Sequence, residues 1–124
     1  MVQTILNQLN HKNQSSDQIM SQFSLHYDRT ILGLEHKLGD LIDEGYEFDI
    51  EMNGDVLTIE FESGEKFVIT PQSPMEQLWV SANYSGYRFY WNGETWVNEK
   101  GGEEFSVFLS RLLTEKLGLR VDLN

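Results

Sequence analysis

The residues best placed to do chemistry in this chain are carboxylates. Ten acids fall between Asp28 and Glu60, against two bases, Arg29 and Lys37. Asp40, Asp43 and Glu44 repeat at three and four residues, which sets them on one face of a helix. Asp49 and Glu51, two residues apart, share one face of a following strand, and Glu47 lies between the two groups. Like charges this close repel, so the arrangement costs stability. Oxygen donors suit hard cations, and an open carboxylate surface without a closed cage suits weak, exchangeable binding. His36 stands four residues before Asp40, a spacing at which an imidazole and a carboxylate can share a metal. Plainer accounts stand beside these: an acidic face kept for solubility, and a surface histidine with no ligand role. His11 and His26 have no acidic company. There is no H-E-x-x-H pattern and no EF-hand loop, so the pattern names no metal.

A second group is polar and aromatic: Gln72, Gln77, Trp79, Ser81, Arg88 and Tyr90. Trp79 alternates out of phase with Leu78 and Val80, which directs it to the sheet face opposite the core. An exposed Trp between Gln and Arg has the composition of an interface anchor; a loop or tail folded over it is the equal alternative. Trp91 and Trp96 flank a turn and read as core or edge packing. No nucleophile–base pattern, Gly-rich phosphate loop or nucleotide fingerprint is present. An exposed acidic ridge also lacks the burial that would split carboxyl pKa values into acid and base roles. There is no cysteine, which excludes disulfides, thiolate metal sites and a cysteine nucleophile.

The elements that must carry these residues follow from periodicity. Tyr27, Ile31, Leu34, Leu38, Leu41 and Ile42 repeat at three and four residues, predicting a helix from about Phe23 that stops at Gly45. Alternation then predicts strands over 48–52, 56–62, 66–70, 77–81, 87–91 and 95–98. Turns at Asn53-Gly54 and Asn92-Gly93 supply the positive φ that tight hairpins need. A second amphipathic helix is expected from about Glu103, with Gly118 as its C-cap. Leu119–Leu123 alternates apolar residues and is expected to lie back along the helices. Helix, successive antiparallel strands, helix is an α+β arrangement: two helices on one face of a single antiparallel sheet of five to six strands.

At 124 residues, 40% of them hydrophobic, the chain is sized for one domain with a real core. Residues 1–20, rich in Asn, Gln and Ser, read as a flexible extension ahead of a domain over 21–124. Twenty acids against nine bases give a formal charge of −11, which disfavours nucleic acid and anionic membranes as partners. Cations, or proteins with basic faces, fit better. No apolar run approaches the ~20 residues that span a bilayer. The first residues lack a secretion signal, and, being free of Arg, do not make an intact mitochondrial presequence.

The run Gln72-Ser73-Pro74-Met75-Glu76-Gln77-Leu78-Trp79-Val80-Ser81, followed by Ser85-Gly86, Arg88 and Trp91-Asn92-Gly93-Glu94-Thr95-Trp96-Val97, is similar to the signature of the frataxin family. The resemblance spans roughly residues 22–123. It implies two helices packed on an antiparallel sheet, and weak binding of ferrous and ferric iron at acids of the first helix and strand. Asp40, Asp43, Glu47, Asp49 and Glu51 stand where the family places acids, with Glu44 close by. It further implies docking through the sheet face on the cysteine desulfurase and the iron–sulfur scaffold protein, with Gln72, Gln77, Trp79 and Arg88 at matching positions. Ferroxidase activity, iron supply to ferrochelatase and iron-induced oligomers of a monomer belong to the same family picture. The tail and leader resemble mitochondrial members, so the mitochondrial matrix is the expected compartment and the bacterial cytoplasm the alternative. Thr70-Pro71 and Met75 depart from the eukaryotic pattern, where two Asn side chains contact the scaffold. His36 and Lys37 replace acids common in bacterial members.

Overall fold

The computed structural model describes residues 14–124. Its first element, helix α1 (Gln14–Asp43), runs 30 residues. Phe23, Tyr27, Ile31, Leu34 and Leu38 form its buried stripe, at the spacing that keeps side chains on one helical face. Of the extension expected over residues 1–20, residues 1–13 lie outside the described residues, and 14–20 belong to the first turns of α1.

Six strands follow: β1 (Phe48–Asn53), β2 (Val56–Phe61), β3 (Lys66–Gln72), β4 (Gln77–Ala82), β5 (Ser85–Trp91) and β6 (Trp96–Asn98). They form one antiparallel sheet in sequence order, because each turn is too short for anything but a return alongside. A 3-10 turn, Ser73–Met75, separates β3 from β4. Helix α2 (Phe105–Leu117) closes the fold and ends at Gly118, whose left-handed φ of 71° lets its N–H return to the Thr114 carbonyl at 2.9 Å.

β1 and β4 run one residue longer than alternation predicts, and β3 and β5 two. β3 continues through Pro71 to Gln72, because β2 begins at Val56 and leaves that end of β3 without a neighbour on one side. A missing N–H is tolerated there. β5 begins at Ser85, not Tyr87, because Ala82 and Ser85 pair directly across a two-residue loop.

Inward residues of all six strands and both helices meet in one core. Leu57, Ile59, Phe67, Ile69, Leu78, Val80, Phe89 and Trp96 are buried from the sheet side. Phe105, Phe108, Leu109, Leu112 and Leu113 meet them from α2. Phe89 sets its ring edge against Phe105 at 5.3 Å and Phe108 at 5.0 Å. Each such side chain contributes about 1.5–3 kcal/mol through burial. Both helices therefore cover the same face, and among the described residues no layer covers the other. Two polar tethers fix α1 on the sheet: the Tyr27 hydroxyl donates to the Asp55 carbonyl at 2.7 Å, and Trp96 Nε1 to Thr30 Oγ1 at 2.9 Å. Burial, helped by Asp55 and Asp28, pushes the Tyr27 phenol well above its ordinary pKa.

The tail returns along the helices, with Val121 and Leu123 buried and Leu119 exposed. Its backbone is held by side chains. Val121 N–H donates to Thr114 Oγ1 and Leu123 N–H to Ser110 Oγ, both at 2.9 Å. Lys37 Nζ reaches the Leu123 carbonyl at 2.6 Å.

Candidate functional site

All seven candidate metal ligands, His36, Asp40, Asp43, Glu44, Glu47, Asp49 and Glu51, are exposed. They do not form one cluster. His36 Nε2 and Asp40 Oδ2 stand 3.9 Å apart with side chains 81% and 61% exposed, a solvated pair rather than a hydrogen bond. After Asp43 the chain turns at Gly45 and enters β1, the edge strand. There the pleat sends Phe48, Ile50 and Met52 toward the core and Asp49 and Glu51 to the opposite face. Asp49 and Glu51 thus lie on the sheet face away from the core that the helix bearing Asp40 and Asp43 covers. Among the described residues, no three His, Cys, Asp or Glu side chains converge to hold an ion.

Hairpin register adds one acid that sequence patterning did not single out as a site residue. Glu60 pairs directly with Asp49 on the outer face, and Lys66 lies opposite Glu60 on the next strand. A like-charge pair held directly opposite is unfavourable. The Asn53-Gly54 turn could have revealed it, since the turn fixes which residues oppose each other.

The outer sheet face carries the second group. Thr70, Trp79 and Arg88 form one cross-strand row, and Gln72, Gln77 and Tyr90 the next. Trp79 is half-buried by its neighbours. Its Nε1 donates to Gln77 Oε1 at 2.8 Å, and the Arg88 guanidinium lies over its ring, 4.7 Å from the centroid. The tail's contacts are with the helices, so the tail does not cover Trp79. Val68, Thr70, Trp79, Ser81, Gly86 and Arg88 line a shallow hollow of about 250 Å³. Val68 and Thr70 were not foreseen there; only strand register brings them beside Trp79. Trp91 and Trp96 do pack: Trp91 stacks on His26 at 4.1 Å, and Trp96 is 2% exposed.

The family model of the frataxin-like domain matches residues 16–119 of this chain. The chain belongs to the frataxin family. Among solved structures it is similar to the frataxin from Psychromonas ingrahamii, studied as a model of stability modulation within the CyaY protein family. The TM-score is 0.77 at 30% identity, covering 85% of this chain and 97% of that one. Frataxin membership carries a role related to iron–sulfur cluster assembly and an association with iron. Two departures from the wider frataxin pattern now have positions. Met75 is exposed on the 3-10 turn between β3 and β4. Lys37 is engaged by the tail carbonyl and adds a positive charge one turn from Asp40. No described helix is long and apolar enough to cross a membrane.

Proposed function

We propose that this frataxin binds iron weakly as cargo on its exposed acids and docks through the Trp79 face on the cysteine desulfurase–scaffold complex, as iron donor or regulator of sulfur transfer. The observation that supports docking best is an aromatic patch, held in place, that no helix or tail segment among the described residues covers. Trp79 is held by Gln77 of its own strand and by Arg88 over its ring, on the sheet face away from both described helices. A large ring flanked by a guanidinium, already immobilised, loses little entropy when a partner covers it. The acids fit iron only as a loosely held ion. Their oxygens suit a hard cation, while among the described residues no three of them converge, which leaves most of its coordination to water. Affinity should be micromolar or weaker, with manganese and calcium competing.

The experiment compares Trp79→Ala and Arg88→Ala with wild type for binding to purified desulfurase–scaffold complex and for its desulfurase rate. Each variant should bind about 30-fold weaker, or ~2 kcal/mol. Full binding by both would remove the sheet face from the interface. A second reading, an adaptor whose acids meet only basic protein surfaces, is favoured by the absence of three converging ligands among the described residues. Anaerobic titration with ferrous iron, followed by backbone amide signals, separates the two. Broadening confined to residues 35–51 supports iron cargo, and no change at millimolar iron supports the adaptor. Ferroxidase activity, ferrochelatase supply and iron-induced oligomers are further roles proposed from the resemblance alone. The matrix remains the proposed compartment on the tail and leader; the bacterial cytoplasm is the alternative that the Psychromonas relative favours.

A further inference from the structure

In the β1–β2, β2–β3 and β5–β6 turns, left-handed backbone falls on glycine: Gly54, Gly64 and Gly93. The β4–β5 turn breaks this habit. Ala82 and Ser85 close a two-residue loop whose residues, Asn83 at φ 52° and Tyr84 at φ 63°, are both left-handed. Asn tolerates that conformation, and the second position normally takes glycine. A tyrosine there is strained by its Cβ, and nothing among the described residues repays the strain, since 98% of Tyr84 faces solvent. A large exposed ring in a position that favours glycine is a local violation without structural gain, the kind that marks an interaction site.

Its surroundings say which interaction. The tip joins the two strands that carry Trp79 and Arg88 outward, and the hollow beside Trp79 runs along β5 to Gly86, two residues from Tyr84. We propose that Tyr84 is a second anchor of this face: the protein partner that covers Trp79 also wraps the β4–β5 tip and takes the Tyr84 ring into an apolar pocket. The inference rests on the docking reading above. A rigid hairpin presents the ring with only two side-chain torsions to freeze, which is why tyrosine is common among interface anchors.

The test measures thermal stability of Tyr84→Gly, and its binding to the purified desulfurase–scaffold complex beside Trp79→Ala. Relief of strain should raise Tm by about 2–5 °C. Binding should weaken about 10-fold or more. Gain of stability with loss of affinity is a combination that a merely structural tyrosine cannot give. Wild-type binding by Tyr84→Gly while Trp79→Ala loses it would overturn the second anchor and leave the docking face intact. Wild-type binding by Trp79→Ala and Arg88→Ala as well would overturn docking and, with it, this inference. A lower Tm for Tyr84→Gly would show that the ring stabilises the hairpin, which also defeats the proposal.

Discussion

Trp79 and Trp96 sit on the same sheet and answer to different faces. Trp79 loses only part of its surface on folding and is held by one hydrogen bond and the Arg88 guanidinium. Its replacement by Ala should cost about 1 kcal/mol, with the core left intact. Trp96 is buried against Phe23 at 5.9 Å and Trp91 at 5.4 Å, and its N–H is satisfied by Thr30. Trp96→Ala should cost about 3–5 kcal/mol through lost transfer energy and a cavity. Urea unfolding of both variants measures the contrast, and equal losses would mean that Trp79 belongs to the core. Alternation alone directed Trp79 outward, because Leu78 and Val80 had to go inward. What it did not contain was Arg88 stacked over Trp79: that contact needs the β4–β5 register, set by a turn without glycine.

At the scale of elements, α1 ends badly by design of its charges. Asp40 and Asp43 lie near the negative end of the helix dipole, and its last turn holds no basic residue. Replacing Asp40, Asp43 and Glu44 by Asn, Asn and Gln should therefore raise Tm by about 2–4 °C, from a few tenths of a kcal/mol per relieved interaction. The same variant should lose most iron binding by titration. Helix α2 begins the opposite way. Glu104, just before its first residue, accepts hydrogen bonds from Ser106 Oγ at 2.6 Å and Thr95 Oγ1 at 2.7 Å. Burial pushes its carboxyl pKa up, but these bonds and the nearby backbone N–H groups outweigh it and hold the value below the ordinary 4.5. A depressed carboxyl stabilises the fold above its unfolded value and loses that contribution as pH falls below it. Wild type should accordingly lose more stability than Glu104→Gln between pH 5 and pH 3. Parallel curves over that range would show that the carboxylate contributes nothing.

The whole molecule depends on its tail more than alternation suggests. Val121 and Leu123 complete the core, and four side chains from three elements or turns hold the tail backbone: Thr114, Ser110, Lys37 and Tyr46. Leu123→Ala should cost about 2–4 kcal/mol. Its equilibrium unfolding should stay a single transition, since the tail closes the common core rather than a separate one. A stability unchanged by that substitution would mean the tail is a loose cover.

Local chemistry in the sequence was enough to determine the α+β class, the stripes of both helices, the Gly118 cap, the outward set of Trp79 and the exposure of the acids. Each depends on neighbours within a few residues: a repeat of 3.6, an alternation of two, or a glycine at a left-handed position. The tertiary structure decided what depends on pairing across distance. It kept the seven candidate ligands from converging in threes, set Glu60 against Asp49, and gave Lys37 a tail carbonyl. A single chain read along its length shows which residues share a face of one element. Which faces meet is fixed by strand register and by the order in which elements pack, and those come from the summed burial of the core.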